Sequence, residues 1–284
     1  MLINGNVLAN QIKSNLKRKI RKFKTPPGLG IILVGSDKPS RIFVEKKIQF
    51  CQEVGIRIDN RFISTSKQNG IVPLKKKLIQ TIKELNQSKK IHGIILQLPL
   101  PVKLRKYQEE CFRLIEPGKD IDCFNPRNLG RLNSGRAVIL PAVAMACLEL
   151  LEKFKISPRG KNVLVVGWGQ IVGKPLIPLL LQRGATVTVC HKFTRDLTYF
   201  SREADIIISA VGKPWIIKGP MVKKGIIAID IGSSFYKNKI RGDFDLASLK
   251  NKAKLITPVP GGIGPITVAM VAKNVVTLYS RFRT

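Results

Sequence analysis

Apolar runs of strand length alternate along the chain with amphipathic stretches of helix length, the pattern of an α/β protein. In the first half the spacing predicts helices over 9–23, 40–54 and 72–85, with strands over 28–35, 57–64 and 91–98. Residues 116–136 are dense in Gly, Asn, Pro and charge and read as a long loop, from which a helix over 141–154 departs. A second α/β unit follows, with a strand over 162–167, a helix over 171–182 and a strand over 186–191. Further strands fall at 204–211, 225–231 and 254–257, and a Pro/Gly-dense segment at 258–265 precedes a last helix over 266–280. Two domains joined near residue 140 account for the pattern, with the last helix crossing back to the first. No internal repeat interrupts it.

Composition narrows the class. The 284 residues are enough for two cored domains, and 44% hydrophobic with 24% charged residues excludes a disordered or fibrous chain. No apolar run reaches membrane-spanning length, and the N-terminus carries no signal-peptide core, so a soluble cytoplasmic protein is expected, without a membrane partner. The five cysteines (Cys51, Cys111, Cys123, Cys147, Cys190) form no CxxC, and the two histidines lie far apart, so no metal site is expected. Free thiols in a reducing compartment fit that count.

Charge changes the picture less than its size suggests. Fifty Lys and Arg oppose 18 Asp and Glu, a formal net charge of +32. Eleven of the cations fall in the first fifty residues and eight or nine in each of the next four blocks. A nucleic-acid-binding chain more often gathers its cations in one tail, arm or helix. The even spread reads as a bias toward Lys on solvated faces, with no specific nucleic-acid partner. A nucleic-acid-binding protein remains a remote alternative.

Local chemistry is clearest in Val163-Leu-Val-Val-Gly167-Trp168-Gly169-Gln-Ile171-Val172-Gly173-Lys-Pro175. A buried strand runs into a glycine turn and then a helix, as a dinucleotide-binding βαβ unit requires. Gly167 permits the tight turn, Gly169 lets backbone approach a pyrophosphate, and the N–H groups of the helix start hold the anion. The spacing is GxGxxxG, so a tight turn that binds nothing is the structural alternative. The end of the next strand bears on the choice of cofactor. An acidic residue there would accept from the ribose hydroxyl of NAD, whereas 188–195, with Lys192 and Arg195, supplies only neutral or cationic groups. That favours the 2′-phosphate of NADP, although both cations also belong to the general basic excess.

Several stretches together resemble the bifunctional methylenetetrahydrofolate dehydrogenase/cyclohydrolase (FolD) family. They are Pro39-Ser-Arg-Ile-Phe43-Val-Glu-Lys-Lys47, Gly93-Ile-Ile-Leu-Gln97-Leu-Pro-Leu-Pro101, Lys119-Asp-Ile-Asp122 and Asn128-Leu-Gly-Arg-Leu132. The glycine turn, Ala210-Val211-Gly212-Lys213-Pro214 and Thr257-Pro-Val-Pro260-Gly261-Gly262-Ile-Gly-Pro265-Ile-Thr267 complete the set. The resemblance implies a catalytic, folate-binding domain over 1–140, completed by 266–284, and a Rossmann NADP-binding domain over 141–265. It further implies a folate site in the cleft between them and a homodimer paired through the Rossmann domains. The activity implied is oxidation of 5,10-methylenetetrahydrofolate with NADP, then hydrolysis of the methenyl product to 10-formyltetrahydrofolate, with polyglutamylated folates among the ligands.

By the same resemblance Lys47 is the catalytic lysine, Gln97 the residue that orients it, and Asp122 the carboxylate that accepts from the pterin. Phe43 shares a helical face with Lys47 and, with Pro260, Gly261, Gly262 and Pro265, lies beside the substrate. Gly167, Trp168, Gly169, Ile171, Val172, Gly173, Lys192, Arg195, Val211, Gly212, Lys213 and Ile231 line the cofactor. Taken singly, Lys47 is one lysine among many, Gln97 ends a strand and Asp122 caps a turn; their joint match sets them apart. The chain also departs from the pattern. Phe43 stands where the family has tyrosine, Cys123 where it has glycine, Trp168-Gly169 where Arg-Ser or Ala-Ser is common, and Lys192-Phe193 where many members have Ser-Arg. The family's PCTPxG segment is here Pro141-Ala-Val-Ala-Met-Ala146. Loss of the phenolic hydroxyl at 43 leads to an alternative reading, a dehydrogenase whose cyclohydrolase half is weakened or absent.

Overall fold

The computed structural model describes residues 1–65, 70–236 and 239–282, so Arg283 and Thr284 of the expected C-terminal segment lie outside it. The chain divides into two compact units, Gln11–Ala142 with Val268–Thr284, and Met1–Asn10 with Val143–Thr267. The first ten residues group with the later unit. The reason is long-range backbone pairing. Ile3 N–H donates to the Ile256 carbonyl and Ile256 N–H to the Met1 carbonyl, while Gly5 N–H reaches the Gly261 carbonyl at 2.7 Å.

The chain opens with α1 (Gly5–Ile20), β1 (Gly28–Val34), α2 (Lys38–Val54), β2 (Arg57–Ile63), α3 (Ile71–Gln87) and β3 (Gly93–Leu96). The three strands form a parallel sheet in the order β2-β1-β3. Every residue of β1 is buried, as a central strand covered on both faces requires. The edge strand β2 instead carries Arg57, Asp59, Asn60 and Arg61, charge that discourages edge-to-edge pairing. Leu78, Ile82 and Leu85, one apolar stripe of α3, pack with Ile32 and Ile94 in the core. After a 3-10 turn, Val102–Tyr107, come α4 (Gln108–Leu114) and α5 (Pro126–Asn133). α5 occupies part of the expected long loop. Asn125 caps it by accepting from Arg127 N–H, with a proline in the first turn.

The later unit holds most of α6 (Ala142–Lys153), then β4 (Asn162–Val166), α7 (Gly173–Leu181), β5 (Thr186–Cys190), α8 (Leu197–Glu203) and β6 (Ile206–Ser209). β7 (Ile226–Asp230), the short hairpin β8 (Ser234–Tyr236) and β9 (Lys239–Arg241), α9 (Leu246–Leu249) and β10 (Ala253–Ile256) follow. Five strands form one parallel sheet in the order β10-β7-β6-β4-β5. The order reverses beside β4, which creates the crevice where such sheets take ligands. The last helix, α10 (Ile263–Arg281), is long and apolar enough to cross a membrane by length and composition, against the expectation that no segment would be. It is a core helix, with Ala269, Met270, Val271, Ala272 and Val275 all buried.

Candidate active site

In the earlier unit the site is built at the carboxyl ends of the strands. Asp37 caps α2 by accepting from the N–H and hydroxyl of Ser40 at 2.9 and 2.6 Å, and Pro39 sets the first turn. The helix then buries one face through Val44, Lys47, Cys51 and Val54, so a lysine stands in an apolar row. Its Nζ donates to Gln97 Oε1 at 2.9 Å. Gln97 follows β3 directly. Its N–H is tied to the Ile32 carbonyl and its Nε2 donates to the Leu98 carbonyl at 2.6 Å, leaving Oε1 turned to the lysine. The Phe43 ring lies one helical turn away, with its centroid 4.8 Å from Nζ.

Asp122 is delivered by a second carboxylate. Asp120 is buried and accepts from the N–H groups of Phe124 and Asn125 and from Asn128 Nδ2, while its backbone bridges to Ile94 of β3. Asn274 of α10 holds the Ile121 carbonyl at 2.9 Å and the Leu140 carbonyl at 2.8 Å. Ile121 is thereby fixed and Asp122 presented beside Lys47. Burial lowers the Lys47 pKa below that of a free lysine, a shift the Asp122 charge opposes. Burial raises Asp122 to about 6, against the pull of Lys47 and with the repulsion of Asp120. Each group moves toward its neutral form, which suits a pair that handles a proton near neutral pH. Cys51, one helical turn beyond Lys47, is pushed up to about 12 by burial and stays a thiol. Cys123 sits at φ 59°, a left-handed conformation that suits the glycine of the family pattern better than cysteine.

In the later unit every expected cofactor residue follows a strand of the five-stranded sheet. Gly167 to Gly173 follow β4, Lys192 and Arg195 follow β5, Val211 to Lys213 follow β6 and Ile231 follows β7. The segment 258–265, with Pro260, Gly261, Gly262 and Pro265, follows β10. Parallel strands therefore bring these residues to one edge. Gly167 has φ 105°, and its N–H donates to the Cys190 carbonyl, so the turn closes against β5. A side chain on Gly173 would overlap the Gly167 carbonyl, so the start of α7 sits hard against the turn. Around Gly169 there is only open space, leaving its backbone accessible to a pyrophosphate. Lys174 lies over the exposed Trp168 ring and Lys192 over the exposed Phe193 ring, at 4.9 and 4.8 Å. Asp196, the acid that follows this stretch, is used as the cap of α8, where it accepts from Tyr199 N–H. The edge thus fits an anionic dinucleotide with an extra phosphate.

Asp120 and Asn274 are the positioning residues that sequence reasoning missed. A second Asp two residues before Asp122, and a lone amide in the apolar run of α10, were their only signals.

These features define a dinucleotide-binding α/β protein with a buried lysine centre in its other unit. Residues 3–122 match the catalytic domain of tetrahydrofolate dehydrogenase/cyclohydrolase, and residues 141–283 match the NAD(P)-binding domain of the same enzymes. The bifunctional protein FolD of Caldanaerobacter subterraneus is 38% identical over 274 residues, which cover 96% of this chain and 95% of that protein. The crystal structure of the bifunctional FolD of Campylobacter jejuni superposes with a TM-score of 0.92 at 36% identity, over 99% of each chain. The Trypanosoma brucei FolD, solved with NADP and an inhibitor, gives a TM-score of 0.92 at 32% identity, over 100% of this chain and 98% of that one. The chain belongs to the tetrahydrofolate dehydrogenase/cyclohydrolase family.

Proposed function

We propose that this chain is a bifunctional enzyme of one-carbon metabolism. It oxidises 5,10-methylenetetrahydrofolate to the 5,10-methenyl cation with NADP, and hydrolyses that cation with one water to 10-formyltetrahydrofolate and a proton. The observation that carries this reading is the buried Lys47, hydrogen-bonded to Gln97 and electrostatically coupled to Asp122, in a chain with a dinucleotide edge. Bound NADP supplies the hydride acceptor. The backbone of 167–173 and the start of α7 would hold its pyrophosphate, and Lys192 and Arg195 would meet its 2′-phosphate. Lys47, lowered by burial, takes the proton from the attacking water, and Gln97 keeps its amine aimed. Asp122 accepts from the pterin N–H donors in its ionised form. Phe43, one helical turn from Lys47, lies beside the folate.

One observation favours a second reading. The Phe43 ring faces Nζ as a π-surface, which stabilises the charged ammonium, and it carries no hydroxyl to order the neutral amine. The cyclohydrolase half is then slower than the dehydrogenase half. A homodimer paired through the later units, and a cytoplasmic setting in which five buried free thiols stay reduced, complete the proposal.

Steady-state assays of the two half-reactions, each with NADP and with NAD, test both activities and the choice of cofactor. Lys47→Met is expected to lower the cyclohydrolase by about 10²-fold or more, and Phe43→Tyr to raise it. Full cyclohydrolase turnover in Lys47→Met would overturn the role of the lysine. Turnover unchanged in Phe43→Tyr would remove the second reading.

A further inference from the structure

Two more carboxylates are buried in the later unit, outside the lysine centre. Asp230 ends β7 and Asp243 follows β9, with 1% and 0% of their surfaces exposed. Asp243 spends both oxygens on one short segment. Its Oδ1 accepts from Lys213 N–H at 2.9 Å, and its Oδ2 accepts from Val211 N–H at 2.8 Å and from the Ser209 hydroxyl at 2.7 Å. Gly212 between them has φ 70°. Two N–H groups flanking a left-handed residue and converging on one anion form a nest, the concavity that binds phosphate in many proteins. Here the anion in the nest belongs to the chain itself.

Asp230 holds Asp243 in turn. Its Oδ1 accepts from the N–H groups of Asp243 and Gly232, and its Oδ2 from Phe244 N–H, all at 3.0 Å. Side chains on Gly232 and Gly242 would overlap the carboxylates of Asp243 and Asp230, so both neighbours are glycine because the carboxylates come so close. Burial pushes Asp230 up to about 7, so holding its carboxylate ionised at neutral pH works against the fold. A core needs no such pair. What the pair fixes is the exposed apex Val211-Gly212-Lys213, at the carboxyl end of the strand next to β4.

We propose that Asp243, backed by Asp230, is a positioning residue for the cofactor. By filling the 211–213 nest it keeps phosphate out of that loop and leaves the 167–173 turn as the pyrophosphate site. It also freezes the loop as a wall against the nicotinamide end. This inference rests on the NADP reading above.

Calorimetric titration of the full chain with NADP, beside both half-reactions, tests it. Asp243→Asn is expected to weaken NADP binding about tenfold or more and to raise KM for NADP rather than KM for the folate. The dehydrogenase kcat/KM falls several times further than cyclohydrolase turnover measured on the methenyl substrate without NADP. Ser209→Ala, which removes one donor of three and keeps both amides, is expected to weaken NADP about threefold. Folded variants with the NADP affinity of the unaltered chain would overturn the inference. So would Asp243→Asn lowering thermal stability and both activities in equal measure. Should Asp243→Asn fail to fold, Ser209→Ala decides alone. An unaltered chain that does not bind NADP would instead overturn the cofactor reading itself.

Discussion

At the scale of single residues, the lysine centre works against the stability of the fold. Burial raises Asp122 to about 6 in the folded chain, against 3.8 for a free aspartate, so between those values the folded state holds a proton that the unfolded state has released. A raised carboxylate pKa subtracts stability as pH rises from the unfolded to the folded value, by about 1.4 kcal/mol per unit. At pH 7.5 that burden is fully present, offset in part by the support the ionised Asp122 gives Lys47. Asp122→Asn removes it. The variant is expected to melt higher than the unaltered chain at pH 7.5, with the gain shrinking as pH falls through 6 toward 3.8, while folate turnover is lost. Calorimetric melts across that range check it, and a lower melting point at pH 7.5 would show that Asp122 stabilises the unit. The candidate site was partly legible at this scale. The i,i+4 spacing puts Phe43 and Lys47 on one face, but nothing local brings Gln97, fifty residues on, to the amine at 2.9 Å. That pairing needs the β1–β3 register, and only the family pattern anticipated it.

At the scale of elements, the 167–173 turn shows how a strand end and a helix start become a binding surface. α7 can present its first N–H groups only if it begins against the Gly167 carbonyl, and that contact leaves no room for a side chain at Gly173. Gly173→Ala is expected to push the helix outward, costing about 1–3 kcal/mol of stability and weakening NADP by about tenfold or more. Thermal melts and NADP titration of the one variant check both; an unchanged NADP affinity would mean that the phosphates are held elsewhere. The elements that pattern reading found are those long enough to show a period. α2, α3, α10 and the buried strands announce themselves over many residues. α9 spans four residues and β8 and β9 three each, too few to separate a period of 3.6 from one of 2. α5 was hidden in another way. Its Pro and Asn look like loop residues, yet Asn125 is its cap and Pro126 its first residue.

At the scale of the whole molecule, the question is what +32 does to a chain whose ligands are anions. The described ion pairs are exposed or half-exposed, such as Lys13 with Glu53 and Lys223 with Asp205, and pairs of that kind contribute little. Most of the basic excess is therefore unneutralised charge on solvated surface, and it repels itself more in the compact state than in the expanded one. Salt screens that repulsion, since the Debye length falls from about 30 Å at 0.01 M to about 8 Å at 0.15 M. The melting temperature of the ligand-free chain is expected to rise by several degrees over that range, at about 2–4 °C per kcal/mol for a chain of this size. NADP affinity is expected to fall over the same range, because the cations near the sheet edge lose their reach toward the cofactor's phosphates. The two signs are opposite, and that separates the roles of the charge. A melting point that fell with salt would mean that ion pairs hold the fold together. An NADP affinity indifferent to salt would mean that backbone N–H groups and shape bind the cofactor, with Lys192 and Arg195 merely sharing the surface bias of the whole chain.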